Sequence, residues 1–298
     1  IMLVVPSVAH EAYAEALTPV LDAHTPVFLN PGHTGGGLHF AHALARAGFQ
    51  DTPRLCETVT LTYISRLESA ATVGIYGYTK RLMFAALPAQ ETGVLHELLR
   101  PLYPEIVAAS SVLETGLSNM NAVFHPPGML MNAGWIEHSD GDFLFYREGI
   151  TEAVGQVVSA LDAERVQIAR DLGVATRSFL ESFHAAGLTT DAALASGSVA
   201  LACRESEPNK TLASPPSLDH RYVHEDVGYG LVPMAAFAEL AGTQCPVIDA
   251  HIELLSAAAR TDYRANGLTL EMMGLNGMSP IEVRDFVTEG RPPNNARK

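Results

Sequence analysis

VFLNPGHTGGGLHFAHALARAG, residues 27–48, runs from a solid apolar triplet through a glycine-rich loop into a helical pattern that closes at Gly48. Such an apolar run suits a strand buried on both faces, and a glycine after the last periodic residue is a natural helix stop. The pattern repeats upstream, where residues 1–5 (IMLVV) form a second apolar run and Ala12, Ala16 and Val20 fall at helical spacing within residues 9–22. Strand, helix, strand, glycine loop, helix is the order of a parallel α/β sheet. Further β-rich stretches lie at 55–67 and 72–87, and beyond residue 105 the pattern turns helical, with candidate helices at 110–124, 128–134, 143–172, 176–186, 232–241, 247–264 and 280–289. The expected fold is α/β followed by all-α. Residues 1–105 supply part of a Rossmann-type doubly wound parallel sheet, and residues 106–298 a helical bundle. Residues 204–219 read as a polar, proline-rich loop and RPPNNARK (291–298) as a frayed tail.

The 298 residues are 47% hydrophobic and 17% charged, ordinary globular values that exclude disorder and collagen-like repeats. Thirty-three acidic against nineteen basic side chains give a net charge of −14. Binding to a phosphate backbone depends on clustered positive charge, so nucleic acid is disfavoured as a partner. The imbalance is −2 over residues 1–104 and −12 beyond, so an anionic substrate needs a local arginine clamp. The apolar opening IMLVVPSVA is about half the ~20 residues that cross a bilayer, and it contains a proline. With no basic lead-in and no cleavage site, neither a membrane span nor a secretory signal is expected, and the chain reads as cytoplasmic. Cys56, Cys203 and Cys245 share no metal-type spacing and are expected as buried reduced thiols. The chain opens on Ile rather than Met, directly on a strand whose outer edge would be exposed, so further sequence is expected upstream.

NPGHTGGG (30–37) places backbone amides and a helix N-terminus where an anion or a cofactor ring can sit. It lacks the GK[ST] ending of a Walker loop and does not match GxGxxG, so a tight structural turn is an equal reading. In LETGLSNMNAVFHPPGMLMNAG (113–134), Asn121 and His125 are four apart and share a helix face, with Leu117 and Ser118 a turn earlier. Pro126 and Pro127 are expected to stop or bend the helix at His125, placing it near a C-terminus. There the dipole favours the protonated imidazole and a general-acid role; a hydrogen-bonded core histidine is the alternative. DHRYVHEDVGYGLVP (219–233) supplies Arg221, able to fork onto a carboxylate. It also supplies Asp226, ahead of a helix expected to begin near Pro233 and able to fix the tautomer of His125. His220, His224 and Glu225 have metal-ligand spacing, but no third anchor of the HExxH kind accompanies them and no metal is assigned.

Taken in order, LNPGHTGGG, CETVTLTY (56–63), LSNMNAVFHPPGMLMNAG, RYVHEDVGYGLVP, CPVIDAHIELLSAA (245–258) and TLEMMGLNGMSP (269–280) resemble the opine dehydrogenases, the octopine/nopaline dehydrogenase family, over essentially the whole chain. The resemblance implies a dinucleotide-binding domain followed by an all-helical catalytic domain, with the active site between them and NAD or NADP as cofactor. The implied reaction joins the amine of an L-amino acid to an α-keto acid such as pyruvate through an imine, which is then reduced. His125 matches the family's catalytic histidine, Asp226 its partner and Arg221 the keto-acid carboxylate anchor, with Asn121 in a supporting role. IMLVVPS resembles the fourth strand of the nucleotide-binding sheet and VFLNPGHTGG the fifth. Val5, Pro6, Asn30, Gly32 and Glu57 then belong to a cofactor wall, while the GxGxxG turn and the residue that selects NAD or NADP fall outside this sequence. Two other readings stay open. One is a reductase related to ketopantoate reductase or glycerol-3-phosphate dehydrogenase, but those use a lysine as proton donor, and Lys80, Lys210 and Lys298 do not stand beside the Asn121 face. The other is a non-catalytic helical binding or dimerisation module. A homodimer through the helical half is left open.

Overall fold

The computed structural model describes residues 1–290, and the RPPNNARK tail lies outside the described residues. β1 (Met2–Leu3), α1 (His10–Leu17), β2 (Val27–Leu29), α2 (Gly36–Arg46) and β3 (Leu55–Thr58) follow the expected alternation. The three strands pair in parallel, with Met2 opposite Phe28 and Phe28 opposite Cys56. Every residue of β2 is buried, as a strand covered on both faces requires. The sheet then departs from purely parallel order. β3 feeds a long hairpin, β4 (Tyr63–Ser69) and β5 (Thr72–Tyr78), which forms its own two-stranded sheet, and β6 (Leu82–Leu87) returns antiparallel to β3. An excursion that re-enters the sheet at the end it left gives an antiparallel neighbour, whereas parallel pairing needs a crossover to the other end. α3 (Thr92–Leu99) supplies such a crossover to β7 (Ile106–Ala108), and the five-stranded mixed sheet has the order β1-β2-β3-β6-β7.

The remaining elements are α4 (Val112–Leu117), α5 (Asn121–Met131), α6 (Ala133–Ser139), a π-helical turn at Phe145–Gly149, α7 (Glu152–Asp171), α8 (Phe179–Ala185), α9 (Asp191–Ser196), α10 (Val199–Arg204), α11 (Arg221–Asp226), a second π-helical turn at Val227–Leu231, α12 (Val232–Ala241), α13 (Pro246–Ala259), α14 (Tyr263–Asn266) and α15 (Pro280–Glu289). None of the described helices is long and apolar enough to cross a membrane. The three cysteines are buried and free.

Several helix boundaries differ from the sequence expectation, each for a local reason. The helix expected over 143–172 begins at Glu152, because Thr151 caps it by accepting the Val154 N–H at 3.4 Å. The helix expected over 110–124 breaks between Leu117 and Asn121. Pro126 and Pro127 lie inside α5 and do not end it. They remove two hydrogen bonds, but eight of its eleven residues are buried, and this packing, chiefly against α7 and α11, outweighs the loss. Asp226 does not precede a helix that starts near Pro233. It closes α11, and the backbone stays helical through the second π turn into α12. α9, α10 and α11 are six residues each, too short for periodicity to reveal.

α7 is tied to its surroundings by a buried ion pair, with Arg165 2% and Asp162 6% exposed. Arg165 donates to Asp162 Oδ1 from Nε (2.9 Å) and Nη2 (2.6 Å), to the Arg177 carbonyl (2.6 Å) and to the Leu117 carbonyl. Asp162 Oδ2 accepts the Phe179 N–H at 2.6 Å. One pair therefore fastens the end of α4 and the start of α8 to α7. Asp162→Ala strands a buried guanidinium and should lower stability by about 3–5 kcal/mol. A urea-unfolding midpoint that stays at the wild-type value would refute this role.

Candidate active site

Glycine at two positions brings the site's framework together. A Cβ on Gly230 would stand 2.5 Å from Ala122 Cβ, so α5 and the second π turn touch only because that atom is missing. A Cβ on Gly116 would meet the Gly35 backbone nitrogen at 3.1 Å, so α4 also lies close to the glycine loop, though less tightly. Asn119 Nδ2 adds a hydrogen bond to Thr34 Oγ1 at 3.2 Å.

This approach buries His125 at 4% and Asp226 at 2% exposure, with His125 Nδ1 2.7 Å from Asp226 Oδ2. The other ring nitrogen, Nε2, is 3.2 Å from the Tyr146 hydroxyl, and the Tyr222 ring stacks on the imidazole with centroids 3.5 Å apart and planes 12° off parallel. Since α5 continues past the prolines, His125 is the fifth residue of that helix rather than one of its last. The helix dipole therefore gives no help to the imidazolium, contrary to the expectation from sequence. Burial pushes His125 well below its ordinary value, assisted by Arg221, and pushes Asp226 up to about 8. At 2.7 Å the two titrate as a unit. Burial keeps that unit electrically neutral, with one proton held between carboxyl and imidazole. The buried Tyr146 phenol is pushed up and stays protonated.

His125 lines a cavity of about 140 Å³ together with Asn121, Tyr146, Arg221, Tyr222 and residues of the β4 hairpin, including Arg66. Arg221 spends Nε (3.1 Å) and Nη2 (2.9 Å) on Glu225 Oε2, while its side chain remains 49% exposed. The fork is thus anchored by a buried acid yet open to the cavity. Burial raises Glu225, but His33, Arg221 and the Ser7 N–H together hold it below its ordinary value, so it stays ionised. Its other oxygen accepts the Ser7 N–H at 3.0 Å and lies 4.0 Å from His33 Nδ1, joining α11 to the loops after β1 and β2. A larger cleft of about 840 Å³ between α12 and α13 lies apart from these groups.

The glycine loop is a close-packed turn over Glu57. Gly37 N–H donates to Glu57 Oε2 at 2.8 Å, so this amide of the α2 N-terminus is already engaged. Thr115 Oγ1 contacts Glu57 Oε1 and reaches the Val112 carbonyl at 3.2 Å. Gly32 leaves no room for a Cβ, which would fall 2.1 Å from Glu57 Oε2. Asn30 donates to Thr62 Oγ1 at 2.7 Å, and Val5 and Pro6 follow β1. His220 accepts the Tyr222 N–H at 3.2 Å, and His224 bonds Tyr263 (2.7 Å) and Asp219 (2.9 Å), so both rings have partners. Tyr146, Tyr222, Glu225 and Arg66 are brought in by the fold. Tyr222 and Glu225 fall within the quoted 219–233 stretch, where Glu225 was noted for its spacing after His220 and His224 without a metal being assigned; Tyr146 and Arg66 carried no signal in the sequence.

Burial pushes Glu57 up to about 8, against hydrogen bonds from Thr115 and Gly37 that lower it. The fold therefore favours the neutral acid, with Thr115 Oγ1 and the Gly37 N–H each donating to one of its oxygens. With the folded value above the unfolded one, the stabilisation is complete below about pH 4.5 and is lost as pH rises toward about 8. Glu57→Gln should flatten stability against pH across this window. Denaturant midpoints measured from pH 5 to 8 check it, and equal slopes in the two proteins would refute it.

Residues 108–259 match the family described as NAD/NADP octopine/nopaline dehydrogenase, alpha-helical domain. An opine dehydrogenase of Arthrobacter sp. (strain 1C) is 33% identical over 287 residues, 96% of this chain and 78% of that protein. Among solved structures, octopine dehydrogenase with NADH and L-arginine superposes with a TM-score of 0.73 at 20% identity, covering 97% of this chain and 77% of that one. Yersinopine dehydrogenase with NADP+ bound gives 0.66 at 14% identity, covering 96% and 77%.

Proposed function

This chain belongs to the octopine/nopaline dehydrogenase family, and from that premise we propose how its residues divide the work of an NAD(P)H-dependent opine dehydrogenase. The observation that carries the reading is the buried His125–Asp226 pair opening, with Arg221, onto one cavity. In this reading residues 1–105, with β7 (Ile106–Ala108) completing their sheet, are the C-terminal part of the dinucleotide-binding domain, and the chain beyond is the catalytic one.

Ser7 Oγ and His33 Nδ1 are buried polar atoms without hydrogen-bond partners among the described residues, His33 Nδ1 standing 4.0 Å from Glu225 Oε1. They lie in the loops that follow β1 and β2, at the carboxyl ends of parallel strands, where open α/β sheets take their ligands. These residues fit the nicotinamide end of a dinucleotide. Val5, Pro6, Asn30 and Gly32 would form the wall that holds it, with Glu57 supporting the loop from beneath. When bound, the reduced cofactor supplies a hydride.

The protein's own residues do the rest. Arg221 holds the keto-acid carboxylate with the open side of its fork, so that the carbonyl faces His125. Starting from the neutral pair, His125 Nε2 gives its proton to the carbonyl oxygen as the amine adds, takes one back from the added nitrogen and passes it to the departing water, the general acid–base work of imine formation. Asp226 fixes the ring through Nδ1 and shares the proton, so the imidazole changes charge without leaving an isolated charge buried. Tyr222 and Tyr146 limit the ring's movement, and Asn121 offers the substrate a neutral hydrogen-bonding group. No acidic side chain is among the described residues lining the cavity. A substrate ammonium or guanidinium side chain would find no partner there, so the proposed substrates are L-amino acids with uncharged side chains. The lysine that a ketopantoate-type reductase would need is missing from the same lining.

The test is NADH and NADPH oxidation by the protein at its natural full length, with pyruvate and a panel of L-amino acids. Oxidation should require both substrates and favour uncharged amino acids over arginine and lysine; oxidation with the keto acid alone at the same rate would overturn the reading. His125→Asn should lower kcat by about 10²- to 10⁴-fold, and Arg221→Gln should raise the KM for pyruvate by about 10- to 100-fold.

A further inference from the structure

The product of this reaction carries two carboxylates, one from each substrate, and Arg221 accounts for one. A second cation reaches the same cavity from a different element. Ile64 and Arg66 are two residues apart on β4, hence on one face of the strand, and both line the cavity with His125. The pairing of β4 with β5 slips between them: Ile64 stands opposite Gly77 and Ser65 opposite Ile75, leaving Tyr76 unpaired. A bulge of this kind re-aims the side chains beside it. Arg66 itself stands opposite Gly74, so no cross-strand side chain covers its flank.

Arg66 is partly buried. Nη1 donates to the carbonyl of neighbouring Ser65 at 2.7 Å, and Arg66 forms no ion pair among the described residues. Arg54, Arg165, Arg221 and Arg264 contrast with it, each being held by a carboxylate. Arg66 is thus a partly desolvated cation without a counter-charge in a chain of net charge −14. Its charge reaches the catalytic groups: behind burial and Arg221, Arg66 also acts to lower His125, and it acts against the rise of Tyr146. A bound anion is what would neutralise it.

We propose that Arg66 binds the carboxylate of the amino-acid substrate and forms with Arg221 a two-point clamp for the dicarboxylate product. The assignment rests on the opine dehydrogenase reading above. It makes the β4–β5 hairpin part of the substrate site, and it predicts recognition of the α-carboxylate whatever the amino-acid side chain.

The experiment compares the preferred neutral L-amino acid with its carboxamide, pyruvate being saturating, in wild type, Arg66→Gln and Arg66→Lys. Wild type should prefer the acid in kcat/KM by about 10- to 100-fold, the size expected for a charge-assisted hydrogen bond. Arg66→Gln should bring that ratio to within about 3-fold of one, with the KM for pyruvate nearly unchanged, and Arg66→Lys should recover part of it. The lower basicity of the carboxamide's amine cancels between the proteins, and a purely structural role for Arg66 would change both substrates alike. An active wild type whose acid-to-amide ratio survives in Arg66→Gln overturns this assignment and leaves the opine reading standing. A wild type that turns over no amino acid and keto acid pair overturns both.

Discussion

The site depends on one contact between segments far apart in the chain: His125 on α5 against Asp226 at the end of α11, 101 residues later. The contact requires two helical backbones to come closer than ordinary side chains allow, and Gly230 over Ala122 provides that approach. Once made, it removes both groups from water. A lone imidazolium or carboxylate in that position would be costly, whereas a pair sharing one proton is not. The same burial that favours the neutral pair places one transferable proton beside the cavity. The π-helical turn after Asp226 sets the direction in which α12 leaves, and such turns recur at functional sites because they aim side chains that a regular helix would point elsewhere.

Around this contact the structure separates support from chemistry. Glu57 is fully buried beneath the glycine loop, and three glycine-loop features, at Gly32, Gly36 and Gly37, are fitted to Glu57 and His10. Arg165 and Asp162 do comparable work inside the helical half. Glu225 joins the two halves, because one carboxylate accepts from Ser7 beside the sheet and from Arg221 beside the cavity. Displacement of α11 would therefore disturb the substrate cation and the sheet's edge loops together. Ser7 Oγ and His33 Nδ1, which lack hydrogen-bond partners among the described residues, stand at this same junction.

The charge pattern fits the chemistry. An excess of acid over the helical half repels anions in general, and the remedy is local: Arg221 and Arg66 arrive on opposite parts of the chain to line one small cavity without an acidic neighbour in its lining. The hairpin that brings Arg66 is also what turns the sheet from parallel to mixed. A departure from the simple doubly wound pattern thus has a consequence at the site.

The amino-acid sequence by itself determined the strand and helix alternation around residues 27–48, the helical character that follows β7, though not β7 itself at Ile106–Ala108, and the family, together with His125, Asp226, Arg221 and Asn121 as candidates. These are local or motif properties, carried by periodicity, glycine placement and short specific strings. Only the tertiary structure decided that the helix survives Pro126 and Pro127, because burial along α5 outweighs two lost hydrogen bonds. It alone decided that Asp226 sits on a helix, and that Tyr146, Tyr222 and Arg66 share a cavity with His125. It also showed that the GGG turn packs on Glu57, with the Gly37 amide already engaged. Those outcomes come from contacts between residues dozens to hundreds of positions apart, where burial and close approach override what each segment prefers alone.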